Sequence, residues 1–130
     1  MRALYWILGL SAVANGIWML WSPEAWYHEL PAGIPDTGPL NLHFVRDIGA
    51  AFLTFGLGLC IGAEIPKYRR MAVTMAATFY VLHALVHVAD LFSGRLEADH
   101  WLIDLPGVFL PAILLAFLAM PRRWEGEAAV

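Results

Sequence analysis

The residues of this chain best able to do chemistry are histidines and aspartates that recur at helical spacing. His83 and His87 lie four residues apart, and His100 and Asp104 repeat that interval. On an α-helix, residues four apart occupy the same face, one turn from each other. His43 and Asp47 have the same spacing in an earlier segment, which also contains Arg46. The candidate site residues are His43, Arg46, Asp47, His83, His87, Asp90, His100 and Asp104.

This donor set is typical of a metal site. Neutral imidazole and carboxylate are good ligands for divalent Fe, Cu or Zn. A carboxylate one turn from a histidine is also a usual partner that orients a ligating ring. We therefore expect His83, His87 and His100 to supply nitrogen ligands to a divalent transition metal, with His43 as a fourth candidate. The carboxylates expected to bind the metal or to orient its ligands are Asp47, Asp90 and Asp104.

Other functions fit the same residues. Two histidines from different helices could be the axial ligands of haem b, with Arg46 holding a propionate. With a metal, Arg46 would instead orient an acid or an anionic substrate. Intramembrane histidines and aspartates also serve proton relays, and a purely structural polar core is a further alternative. The chain could finally be a non-catalytic subunit of a larger membrane complex, with Gly58 and Gly62 on an exposed small-residue face.

The composition indicates where such a cluster would lie. Hydrophobic residues make up 60% of the 130 residues and charged residues 15%, against roughly 25% charged in soluble domains. The mean hydropathy is +0.63, which indicates a single integral membrane domain over residues 1–130. The net charge of −3 and the lack of a basic stripe argue against nucleic-acid binding. The single cysteine, Cys60, excludes an intramolecular disulfide.

Four apolar stretches predict an all-α fold, an antiparallel four-helix membrane bundle. Each is close to the roughly 20 residues that cross about 30 Å of hydrocarbon as a helix. Turn-forming residues separate them. The predicted spans cover residues 3–21, 40–63, 71–92 and 101–120.

The distribution of Lys and Arg predicts the orientation. These residues gather at the N-terminus, in the second loop and after the last span, as Arg2, Lys67, Arg69, Arg70, Arg122 and Arg123. The positive-inside rule then places both termini in the cytoplasm of a plasma membrane, here interpreted as a bacterial inner membrane. Helices two to four bring their polar residues to the outer half of the bilayer. There they could act on a lipid-soluble substrate.

The first loop, between the first two spans, contains Trp26, Tyr27 and His28. We expect the two aromatic residues to anchor the chain at the outer membrane surface, as the aromatic belt of membrane proteins does. The alternative is that this loop forms a lid over the outer mouth of the site. We expect His28 to lie outside the site.

Three resemblances add to this interpretation. The His83-x3-His87 pair resembles the histidine motif of membrane non-haem iron desaturases and hydroxylases, although the chain has no HxxHH box. Extended to His100, the spacing is similar to the D-x3-H-x12-H copper motif of membrane methane and ammonia monooxygenases, with His83 in place of the aspartate. This likeness covers 18 residues and implies metal ligation. The chain as a whole, and most clearly the run from Trp26 and Tyr27 to Gly49, resembles small uncharacterised four-span bacterial membrane proteins. This likeness covers most of the chain and implies no activity.

Overall fold

All regular elements of residues 1–121, the part of the chain that the computed structural model describes, are helical. The α-helices are α1 (Arg2–Trp21), α2 (Pro23–Glu29), α3 (Leu42–Glu64), α4 (Pro66–Phe92), α5 (His100–Ile103) and α6 (Leu110–Leu118). A 3-10 helix, Ile34–Thr37, precedes α3, and a π-helical turn, Leu105–Phe109, joins α5 to α6. Arg122 and Arg123, which contributed to the predicted orientation, lie outside the described residues.

Three helices, α1, α3 and α4, are long and apolar enough to cross a membrane. Their bounds lie within a few residues of the first three predicted spans. The fourth stretch does not form the continuous helix predicted over residues 101–120. Proline has no N–H to donate and its ring clashes with the preceding turn, so Pro106 interrupts the helix after α5. The longest apolar helical piece there is Leu105–Leu118, which is shorter than a membrane span.

Local sequence fixes where the long helices begin. The Asn41 side chain accepts hydrogen bonds from the backbone N–H groups of His43 and Phe44 and so caps α3. Pro66 occupies the first turn of α4, where its missing N–H has no helical partner to lose. The one-residue connection at Ile65 makes α3 and α4 antiparallel neighbours. We call the opposite end of the bundle, where α2 and the 3-10 helix lie, the α2 end.

Helices α1 and α3 pack with their backbones almost in contact. A Cβ atom added to Gly16 would lie 2.6 Å from the carbonyl oxygen of Gly49, and one added to Gly56 would lie 2.8 Å from that of Gly9. Such an approach requires glycine on both helices, as in small-residue interfaces of membrane proteins. Where α1 begins and α3 ends, the Arg2 guanidinium pairs with the Glu64 carboxylate. This interface turns one face of α3 toward α1.

Helices α3 and α4 meet through aromatic rings. Phe55 stacks on Phe79 with ring centroids 4.8 Å apart, and Phe52 contacts Phe79 and Tyr80 edge to face. Closer to Ile65, Gly62 lies against Arg69 and Ala72 of α4. Gly58 also faces Ala72, so these two glycines do not form the exposed small-residue face expected of a docking subunit.

Candidate functional site

The centre of the site is a hydrogen bond between α4 and the residue that follows α5. His87 Nδ1 lies 2.8 Å from Asp104 Oδ2. A carboxylate only accepts hydrogen bonds, so Nδ1 holds the proton and Nε2 is left as an acceptor when the ring is neutral. Asp104 is 3% exposed. Burying a carboxylate is costly unless it is paired and hydrogen-bonded, and the imidazole meets that need.

The π-helical turn positions this carboxylate. The carbonyl oxygen of Asp104 accepts hydrogen bonds from the N–H groups of both Val108 and Phe109. The second of these bonds spans five residues and defines a π turn, a distortion that is frequent at functional sites. Pro106 follows Asp104 by two residues and prevents a regular helical ladder here.

His100 lies on the other side of Asp104. Its ring is 2% exposed, with Nδ1 3.5 Å from Asp104 Oδ1 and Nε2 3.3 Å from Asp36 Oδ2. Burial lowers the pKa of His100, but hydrogen bonding to Asp36 and the charge of Asp104 raise it more, so this pKa lies above its ordinary value. His100 therefore binds its second proton more tightly than a free imidazole does.

Asp36 reaches His100 because of a tight turn at Gly33. The backbone of Gly33 has φ +58°, in the left-handed region that favours glycine. A Cβ atom at this position would lie 2.9 Å from His100 Cε1 and 3.0 Å from Asp36 Oδ2. Gly33 thus permits both the turn and the approach of Asp36 to the ring.

His83 is one helical turn from His87, deeper in the bundle. The two rings lie with their centroids 4.8 Å apart, and His83 also stacks on Phe79 and contacts Phe52 edge to face. The predicted neighbours His83 and His87 therefore share one wall, with His83 in an aromatic environment.

This wall belongs to a cavity of about 790 Å³ that is lined mainly by apolar side chains. Small-molecule sites have volumes of about 300–1,000 Å³ and combine apolar walls with a few polar groups. The polar groups here come from α1, α2, α4 and the residue that follows α5. The lining includes Asn15, Tyr27, Tyr80, His83, His87, Asp90 and Asp104.

Helix α2 covers the cavity at the α2 end. Trp26 and Tyr27 are buried and line the cavity. Trp26 Nε1 donates to Asn15 Oδ1 over 2.9 Å, and the Tyr27 hydroxyl donates to the carbonyl of Gly38 over 2.7 Å. This geometry matches the lid alternative rather than an aromatic anchor. His28 is exposed, and cavity-lining residues do not include it.

The structure does not bring the remaining candidates to this cluster. The side chains of His43 and Asp47 are 81% and 60% exposed and pair with each other at 3.3 Å. Arg46 is also exposed. The glycine interface with α1 turns this polar face of α3 outward, which the helical spacing alone could not reveal. Asp90 lines the cavity, but its carboxylate accepts a hydrogen bond from Arg95 Nε over 2.7 Å.

Asp36 is the site residue that the sequence interpretation missed. It lies in the loop before α3, and 64 residues separate it from His100. Asn15 gave a weak signal as a polar residue within an apolar helix. Its hydrogen-bond partner is Trp26, which we expected to lie at the membrane surface.

The donor atoms are arranged in a row and not around a common centre. Within residues 1–121, no group of three or more His, Cys, Asp or Glu side chains could hold a metal ion. The geometry therefore gives the predicted metal site no support, and the metal and haem b stay sequence predictions.

Comparisons with known proteins add a family but no activity. One family model, described as "Domain of unknown function (DUF4345)", matches residues 1–101. The matched part contains the three long helices and includes His83, His87 and His100. No curated protein and no solved structure matches the chain.

Proposed function

The chain belongs to the DUF4345 family, and we propose that it binds a lipid-soluble small molecule whose polar head hydrogen-bonds to the His87–Asp104 pair. The observation that carries this proposal is the cavity: about 790 Å³ of mainly apolar lining with a buried imidazole–carboxylate pair in its wall. An apolar pocket with a few convergent polar groups is the usual form of a small-molecule site.

The membrane supplies ligands of this kind. We propose a four-span protein whose fourth crossing covers residues 101–120, so that His100 lies just outside its outer end, with both termini in the cytoplasm. The cavity then lies in the outer half of the bilayer, where a molecule dissolved in lipid can reach it. A ligand that moves from lipid into this apolar cavity exchanges one apolar environment for another. Its head group must therefore supply most of the specificity.

The proposed partner of the ligand's head group is the His87 imidazole, which its hydrogen bond to Asp104 polarises. With Nδ1 bonded to Asp104, His87 presents Nε2 as an acceptor for a hydroxyl or a similar weak acid. A hydrocarbon in the same place would leave this acceptor unpaired in the cavity, which costs about 1–3 kcal/mol. The pair can therefore distinguish a ligand with a hydroxyl head from a hydrocarbon of the same length.

Binding can be measured through Trp26, which lines the cavity. In phosphatidylcholine nanodiscs, a dodecyl nitrophenol should quench tryptophan fluorescence, and Trp26→Phe should remove most of that quenching. Dodecylbenzene, which lacks the polar head, should displace the nitrophenol about tenfold less effectively, because leaving the His87 Nε2 acceptor unpaired costs about 1–3 kcal/mol and a tenfold change in affinity is about 1.4 kcal/mol.

A pair of variants on α3 tests the location. Val45 lines the cavity and Leu57 does not. Val45→Phe should weaken nitrophenol binding about tenfold, because the larger ring would take up cavity space that the ligand fills. Crowding of this kind costs roughly 1–3 kcal/mol. Leu57→Phe, on an exposed position of the same helix, should leave binding unchanged. Equal binding by both variants, no preference for the nitrophenol, or stoichiometric iron, copper or zinc in the purified protein would each contradict the proposal.

A further inference from the structure

Imidazoles and carboxylates alternate along a path that leaves the cavity. The path begins at His87 in the cavity wall and continues through Asp104 and His100 to Asp36. Successive nitrogen and oxygen atoms are 2.8, 3.5 and 3.3 Å apart. Only the last group, Asp36, is mostly exposed, with 67% of its side chain accessible. The row therefore connects a buried end with an exposed end.

One buried atom of this row lacks a hydrogen bond. His100 Nδ1 is buried and makes no hydrogen bond to any residue in the described range 1–121. In the neutral ring that donates from Nε2 to Asp36, the lone pair of Nδ1 faces a carboxylate, and two acceptors do not bond. Leaving a buried polar atom unpaired costs about 1–3 kcal/mol. A proton arriving on Asp104 would create the missing hydrogen bond.

We infer that His87, Asp104, His100 and Asp36 form a proton relay between the cavity and the solution at the α2 end. This inference rests on the proposed function and narrows the ligand to molecules whose head group releases or takes up a proton. Phenol-like and other weakly acidic heads belong to this class, whereas esters and hydrocarbons do not.

The proton balance is simple. The ligand head transfers its proton to His87 Nε2, and His87 passes its Nδ1 proton to Asp104 Oδ2. A rotation of the carboxyl group brings that proton to His100 Nδ1. His100 then releases the proton on Nε2 to Asp36 and water. One proton leaves the head, one enters the solution, and each relay group ends with its original charge.

The charged groups around His100 come from three segments. Asp36 lies in the 3-10 helix, Asp104 follows α5, and the charge of Asp99 also acts on the ring from the residue before α5. His87 of α4 is one step further along the row. All the acids favour the protonated ring, so His100 is able to hold the proton in transit.

The relay can be tested without a ligand. In nanodiscs, ¹⁵N NMR of labelled histidines measures how fast the His87 ring proton exchanges with water. His100→Gln keeps an amide that can hydrogen-bond but cannot pass a proton, and it should slow this exchange about 100-fold, within the range for a positioned acid–base group. His28→Gln, at an exposed position of α2, is the matched control and should have no effect.

A second pair of variants leaves every titratable group in place. Gly33→Ala should push His100 and Asp36 apart, because its Cβ would lie 2.9 Å from the ring. Gly94→Ala has a similar positive φ but nothing within 4 Å of its Cβ, so it controls for backbone strain alone. Slower exchange in Gly33→Ala but not in Gly94→Ala is expected of the relay.

The bound nitrophenol supplies the second readout. After a rapid pH jump, the absorbance of the nitrophenolate should follow the solution pH quickly in the natural protein. In His100→Gln it should follow about 100-fold more slowly, with equal Trp26 quenching. Unchanged exchange and pH-jump rates in His100→Gln would overturn the relay. If the nitrophenol fails to bind but exchange still slows in His100→Gln, the proposed ligand site fails and the relay stands.

Discussion

At the scale of single residues, the His100–Asp36 pair has a measurable consequence for stability. The pKa of His100 is raised in the folded protein. The resulting stabilisation is fully present below the ordinary value of 6.5 and is lost as the pH rises through the folded pKa. The melting temperature in detergent should therefore fall as the pH rises above that value. Because Asp36 is mostly exposed, we expect the His100–Asp36 pair to contribute less than about 1 kcal/mol to the free energy of unfolding.

Two variants of acidic residues test whether the His100–Asp36 pair causes this pH dependence of the stability. Asp36→Asn removes one carboxylate that raises the pKa of His100 and should flatten this part of the stability profile. Glu24→Gln, which removes an exposed carboxylate of α2, should leave the profile as it is. An identical pH profile in the natural protein and in Asp36→Asn would show that the pair has no part in folding stability.

At the scale of the helices, glycine spacing decides how α1 and α3 meet. Gly56→Ala should destabilise the bundle by roughly 1–3 kcal/mol, because its Cβ would lie 2.8 Å from backbone atoms of α1 that cannot move aside. Gly58→Ala, on the same helix, meets only the Ala72 Cβ at 3.9 Å. It should instead stabilise α3 by about 0.5–1 kcal/mol, the usual gain in a helix interior. Unfolding titrations in mixed detergent measure both changes, and equal stability of the two variants would show that α1 and α3 are not in such close contact.

At the scale of the whole molecule, the distribution of basic residues predicts the orientation. In a Cys60→Ala background, Gly94→Cys should react with a membrane-impermeant maleimide added outside intact cells. Tyr68→Cys should react only after the cells are opened. Both positions lie in or beside connections between helices, and the backbone around Gly94 leaves space for a side chain. The reverse pattern would place the exposed end of the relay in the cytoplasm.

Local sequence patterns were enough to locate the long helices. Hydropathy and turn residues are local properties, so they located α1, α3 and α4 to within a few residues and identified an all-helical chain. The four-residue spacing was equally local. It correctly placed His83 beside His87 and His100 beside Asp104, since residues one turn apart share a helix face in any helical fold.

Which helix faces meet depends on the packing of the whole fold. Close packing of Gly9, Gly16, Gly49 and Gly56 sets the rotation of α3, and this rotation turns the His43–Asp47 pair away from the cavity. Pro106 interrupts the predicted fourth helix, and the π-helical turn that contains it positions Asp104. Asp36 joined His100 across 64 residues. Such contacts depend on the rotation and approach of whole helices, which the packing of all side chains determines together and which no local spacing encodes.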